Sequence, residues 1–324
     1  MIVGMRRASL FVLTTSLLLD SGCTSSPSDD EVGSASETET SATDSTSTSE
    51  STSESTTDAS DSTDSTDSSG DSTDTTDSTT DSTDTGPSAC AGECGTPNCG
   101  DCPEVVDVDI AGGFSITSTE VSHAAYAQFL AVDFDPGFFA AWLPAECEWK
   151  NDFTPTDWVP NSPEDLPVVE VDWCDAWAYC AWSGQQLCGK IGGGNIPKAD
   201  IDNPALDQWH KACTGGGNTI YPYGVGYDPA ACNGLDAVFE QLVGVGALAS
   251  CEGGDPGLFD MSGNVWEWEN SCLVDPMKAA QDHNCQQRGG SYFSDDQALR
   301  CAVDSTRTRN FRADHLGIRC CDMP

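Results

Sequence analysis

Residues 257–268, Gly-Leu-Phe-Asp-Met-Ser-Gly-Asn-Val-Trp-Glu-Trp, place two carboxylates, two tryptophans and two glycines within twelve positions. On its residues alone the stretch reads as a tight turn in which Asp260 and Glu267 cap and pair while Trp266 and Trp268 fill a core. Its neighbours make it informative. Upstream lie FSITSTEVSHAAYAQFL (114–130), LPVVEVDWCDAWAYCAWSGQQL (166–187) and DQWHKACTGGGNTIYPYG (207–224); downstream lie RGGSYF (288–293) and LGIRC (316–320).

Between these motifs the regular segments are short. Val105 to Ile110 and Phe114 to Ile116 read as strands, and Ser122 to Val132 as a helix with Ala125, Phe129 and Val132 on one face. Trp173 to Trp182 reads as a second helix in which Ala176, Trp177, Cys180 and Ala181 share a buried stripe. The roughly 220 residues from Glu104 onward suffice for one domain with a sizeable core.

In this order and spacing the motifs resemble the sulfatase-modifying-factor family, whose best-known member is the formylglycine-generating enzyme, over nearly everything after about Val108. The resemblance implies an irregular α+β domain related to C-type lectins, low in regular secondary structure and disulfide-rich. Against the family pattern, Gly189 to Leu206 (GKIGGGNIPKADIDNPAL) is an insertion, expected on a surface loop.

The same resemblance assigns residues. It implies disulfides between Cys180 and Cys320 and between Cys213 and Cys301. It also implies a calcium site formed by the Asp260 carboxylate, the carbonyls of Gly263 and Val265, and the Glu267 carboxylate, hard oxygens of the kind Ca²⁺ takes. A second family calcium site uses Asn233, without recognisable acidic partners here. Catalysis in the family rests on a cysteine pair just after GGSY that binds copper(I), a metal selected by soft thiolates. Here Ser294 stands at the first of those positions, and Asp295 to Leu299 form a shortened stretch with no cysteine. Copper is therefore not expected. Ser291, Tyr292, Ser294, Arg300 and Arg319 remain as candidate groove residues, with buried, ion-paired core positions as the alternative for the two arginines. The histidines His123, His210, His283 and His315 lack metal-ligand spacing, and no His and acid accompany Ser291 to complete a nucleophile triad.

Further outward, the chain opens with Arg6 and Arg7, a mainly apolar run from Ala8 to Leu19, and Asp20-Ser21-Gly22-Cys23. That layout predicts a signal peptide over 1–22, and Ser-Gly-Cys resembles a bacterial lipobox, with Asp20 where Leu is usual and Leu19 one place early. Cys23 is the expected lipidation site, with an ordinary secreted protein as the alternative. Residues 24–88 are nearly all Ser, Thr and Asp, with no Lys, Arg or aromatic residue. Such a stretch has almost nothing to bury and is expected to be a disordered tether spanning on the order of 45 Å. Residues 89–103 form a Cys-rich collar, and 104–324 the domain. The 16 cysteines beyond Cys23 form an even set in an exported chain, which predicts a disulfide framework. Cys90, Cys94, Cys99 and Cys102 also have spacing compatible with a zinc knot.

The net charge of −40 includes 17 acidic residues in the tether; beyond Ser88, 35 acidic and 11 basic residues leave a net charge near −24. Such a surface argues against nucleic acid and anionic membrane patches as partners. Two functions follow. The first is an envelope-anchored, monomeric binding module, on the outer membrane or cell surface, that presents the old substrate groove to an extracellular protein, peptide or glycan. The second is a formylglycine-type oxidase with a rearranged active site.

Overall fold

A computed structural model of the chain describes residues 89–322. The expectations for residues 1–22 and for Cys23 and the tether lie outside the described residues. No helix among the described residues is long and apolar enough to cross a membrane.

The domain is a mixed α+β structure with short elements. Strands β1 (Asp107–Ile110) and β2 (Phe114–Thr117) form a hairpin across the glycines at 112 and 113. Helix α1 (His123–Leu130) begins where the Ser122 side chain accepts the Ala125 amide. Helix α2 (Pro136–Trp142) starts at the Asp135 cap with proline in its first turn. Helix α3 (Trp173–Trp182) is opened by a reciprocal capping box: Asp172 accepts the Cys174 and Asp175 amides, and Asp175 accepts the Asp172 amide. Strand β3 (Gln186–Leu187), helix α4 (Gln208–Cys213) and strands β4 (Trp266–Leu273), β5 (Asn284–Arg288), β6 (Ser305–Thr308), β7 (Leu316–Gly317) and β8 (Cys320–Asp322) complete the set.

Two four-stranded sheets result, in the orders β1-β2-β8-β3 and β6-β5-β4-β7. All pairings are antiparallel except β4 with β7. The C-terminal strand β8 thus sits between β2 and β3, which holds the two ends of the domain in one sheet. Successive residues on a strand face opposite ways, so adjacent Cys320 and Cys321 staple different partners, Cys180 on α3 and Cys188 after β3. The core follows the same division. Tyr126, Phe129, Tyr179, Trp182 and Trp268 belong to one cluster, and Ile110, Ile116, Trp209, Leu258 and Met261 to another.

Helix α3 lies deeper than an amphipathic stripe requires. Ala176 and Cys180 are buried as expected, but so are Trp173, Asp175, Ala178, Tyr179 and Trp182, while Trp177 and Ala181 are only half-buried. The helix packs against both α1 and β4, so one face alone cannot satisfy its surroundings. Asp175 tolerates this depth because Lys150 and Arg312 pair with it at 2.5 and 2.6 Å.

The collar cysteines are paired, Cys90 with Cys99 and Cys94 with Cys102, which removes the four thiolates a zinc knot would need. The collar docks on the end of α3, where Trp182 Nε1 donates to the Cys99 carbonyl at 3.0 Å and the Cys94 amide to the Trp182 carbonyl at 2.8 Å. The 189–206 insertion is more than a surface loop. Ile196 and Ile201 are buried within it, and Asp202 reaches the buried Arg288.

Candidate functional site

Strand β5 ends at buried Arg288, and the chain then turns through Gly289 (φ 86°) and Gly290 (φ 76°). A side chain at Gly290 would press on the Ala298 carbonyl and on Leu299 at about 3 Å, so both backbone angle and space demand glycine. This turn delivers residues 291–294 into a closed loop. The Ser294 amide donates to the Ser291 carbonyl at 2.9 Å, the Ser291 amide donates to Ser294 Oγ at 2.9 Å, and the two hydroxyl oxygens are 3.3 Å apart. Two anchors fix the loop to the rest of the domain. The Tyr292 amide donates to the Asn264 carbonyl, and the Leu235 amide to the Ser294 carbonyl.

The rim is aromatic and acidic. Phe293 is 44% exposed and meets Tyr292 and His315 edge to face, with ring centres 4.9 and 4.6 Å apart. His315 Nδ1 lies 2.7 Å from Asp314 Oδ1. Burial, with the Asp314 charge adding to it, raises the pKa of the Tyr292 hydroxyl. Leu235, Val238 and Phe239 are exposed on the segment that Leu235 ties to this loop.

Chemically, the loop pairs two neutral hydroxyls with each other. Neither serine is hydrogen-bonded to a histidine or carboxylate that would activate it as a nucleophile. The flanking cysteines are both in disulfides, Cys285 with Cys272 and Cys301 with Cys213. Of the two arginine candidates, Arg300 is half-buried with Nε lacking a partner. Arg319 is corrected from a groove residue to a core residue. It is fully buried, with Nε on Glu267 Oε1 (2.8 Å), Nη1 on the Thr117 carbonyl (2.7 Å) and Nη2 on the Phe259 carbonyl (2.8 Å).

The expected calcium ligands sit around the turn of residues 257–268. Asp260 (φ 59°), Gly263 (φ 80°) and Asn264 (φ 59°) adopt left-handed backbone angles, and Gly263 packs directly on the Asn233 backbone. Within the expected set Glu267 also holds the core: Oε1 accepts from Arg319 and Oε2 from Trp209 Nε1 at 2.6 Å, and the Asp260 charge acts on it. Among the described residues no group of three or more His, Cys, Asp or Glu side chains is arranged to hold a metal ion. Hard oxygens without partners do remain: Asp260 Oδ1, Asn233 Oδ1 and Glu120 Oε2, all buried. Burial, reinforced by the Asp260 charge, holds the Glu120 carboxyl well above its usual pKa, and burial raises Asp260 as well.

Glu120 was missed in the sequence although it lies within a quoted motif. The available signal was a lone acid between a strand and a capped helix. Also missed was the network around Arg288, which meets Glu269 (2.8 Å), Asp202 (3.1 Å) and Asp207 (3.3 Å). The three acids lie 19 to 86 residues from Arg288, and nothing local announces them. His123 is likewise buried, stacked on Trp158 at 4.0 Å.

Residues 79–323 match the family model for the sulfatase-modifying factor enzyme 1-like domain. The chain is 32% identical over 194 residues to inactive C-alpha-formylglycine-generating enzyme 2 of Bos taurus, covering 55% of this chain and 58% of the relative. It is 28% identical over 207 residues to the formylglycine-generating enzyme of Bos taurus, covering 55% and 50%. The chain thus spans only a little over half the length of these relatives. A crystal structure of CarF superposes with a TM-score of 0.42 at 20% identity, covering 65% of this chain and 86% of CarF.

Proposed function

Since the chain belongs to the family of sulfatase-modifying factor enzyme 1-like domains, we propose that it is a non-catalytic member that binds an extracytoplasmic ligand. One observation carries this reading. At the place of the family's reactive thiols, Ser294 is hydrogen-bonded into its own loop, while the 16 cysteines of residues 89–322 form eight disulfides. Exposed Phe293 on the loop, and exposed Leu235, Val238 and Phe239 on the segment whose Leu235 amide is tied to it, support a recognition face, since clustered exposed apolar surface marks interaction sites.

Export and lipidation at Cys23 belong to the same proposal. The disulfide framework supports an oxidising compartment, and Cys23→Ser would shift the protein from the membrane fraction to the soluble fraction. Calcium is retained as a structural ion at the turn that carries Asp260 and Glu267, a reading supported by the buried oxygens of Asp260, Asn233 and Glu120 that lack partners.

The relatives named formylglycine-generating enzyme favour a second reading, an oxidase with a rearranged thiol pair. Thiol counting by mass spectrometry with and without reductant separates the two. The binding module shows no free thiol in residues 89–322 and takes up no copper(I). Stoichiometric copper(I) uptake coupled to oxidation of a cysteine peptide would overturn it.

A further inference from the structure

Three arginines are almost completely enclosed: Arg288, Arg309 and Arg319. The first meets three carboxylates and the third meets Glu267. Arg309, 2% exposed, makes no ion pair within 4 Å among the described residues, although the Glu146 charge acts on it from farther off. Its Nη1 donates to the Ala280 carbonyl at 2.5 Å, its guanidinium lies over the Trp173 ring at 5.1 Å, and its Nε has no partner. A buried cation without a contacting counter-charge is costly.

Arg309 forms part of the wall of an open groove of about 400 Å³, together with Glu146, Trp173, Trp177, Asn195 and Asn270. The groove is held in shape. Asn195, in the 189–206 insertion, accepts the Cys272 amide through Oδ1 at 3.0 Å, which leaves its NH₂ group unpaired. The Ile196 amide donates to the Asn270 carbonyl at 2.8 Å, and Cys272 is bonded to Cys285 across β4 and β5. The Asn270 side-chain amide has no partner among the described residues. Half-buried Trp177 adds aromatic surface, braced by Trp142 with ring centres 5.5 Å apart.

The groove therefore offers a cation with no carboxylate in contact, the free NH₂ of Asn195, the whole side-chain amide of Asn270, an aromatic wall and, in exposed Glu146, a carboxylate that accepts hydroxyl donors and repels a ligand that is only an anion. We propose that it binds a carboxylated sugar, with the carboxylate at Arg309, hydroxyls on Asn195, Asn270 and Glu146, and the ring against Trp177. The site is independent of the Ser291 loop. It relies on local donors, because the domain's net charge repels anions at long range, and that repulsion is screened beyond about 8 Å at physiological salt.

The test is titration of the full chain with glucuronate and with glucose at physiological salt, followed by tryptophan fluorescence and calorimetry. Glucuronate saturates the protein, and glucose binds at least about tenfold more weakly because it lacks the charge-assisted hydrogen bonds to Arg309. Arg309→Gln removes the preference for glucuronate. Asn270→Ala, which breaks no internal bond, weakens binding several-fold at unchanged Tm, and it decides the matter if Arg309→Gln does not fold. Equal affinity for the two sugars, no saturation by glucuronate, or an unchanged affinity in Asn270→Ala would each overturn the assignment.

Discussion

Ser294 turns back on Ser291, its hydroxyl oxygen accepting the Ser291 amide at 2.9 Å and lying 3.3 Å from Ser291 Oγ. Both residues are buried, Ser291 fully. The position where the family resemblance leads one to expect a thiol is here a structural acceptor. Ser294→Ala leaves the Ser291 amide without its partner, and denaturant unfolding should show a loss of about 1–2 kcal/mol. Ser294→Cys restores one thiol but not the pair, and oxidation of a cysteine peptide should stay at background.

The Glu267–Arg319 pair lies between the β4 turn and the C-terminal segment, with both side chains buried. Arg319→Met strands the Glu267 carboxylate on the Trp209 indole alone and should cost about 3–5 kcal/mol. Adding Glu267→Gln should recover part of that loss. A double-mutant cycle measured by thermal unfolding would read the coupling, and purely additive single effects would contradict it.

Glu120 makes stability depend on pH in a stated direction. Its carboxyl titrates higher in the folded chain than in the unfolded one because burial, and then Asp260, disfavour its charge. The folded state therefore holds the proton more tightly. That contribution is complete below the unfolded carboxyl pKa and is lost as pH rises through the raised folded value. In chelator, wild type should lose stability from mildly acidic to mildly alkaline pH, whereas Glu120→Gln should show a flatter profile. Parallel profiles would contradict this.

Calcium at the Asp260 side of the same cluster should raise the melting temperature, and a chelator should lower it again. Asp260→Asn keeps the shape but removes a charge, so the calcium-dependent part of Tm should shrink by more than half. A melting temperature indifferent to calcium in wild type would remove the ion from the proposal.

Disulfide closure over long loops should dominate thermal resistance. Replacing Cys213 and Cys301, 88 residues apart, with alanine should cost up to about 4 kcal/mol by the loop-entropy estimate. The loss should appear as a lower denaturant midpoint in the double variant relative to wild type.

Local chemistry is what the sequence by itself determined. The start of α3 follows from Asp172 and Asp175 capping one another three residues apart, and the strand-turn-strand at 107–117 from alternation around two glycines. The family motifs, and the serine where a thiol is expected, are properties of the chain in order, so they were readable without coordinates. Tertiary structure alone decided which charges meet. Arg319 turned from groove candidate to core anchor because Thr117, Phe259 and Glu267, 52 to 202 residues away, converge on it. The same convergence engaged Glu267 with Arg319 and Trp209, buried most of α3 beyond its predicted stripe, and left Arg309 enclosed without a carboxylate in contact. The physical reason is common to all four. Burial sets the cost of a charge, and burial is fixed by segments that are distant in sequence and meet only when the two sheets close around the core.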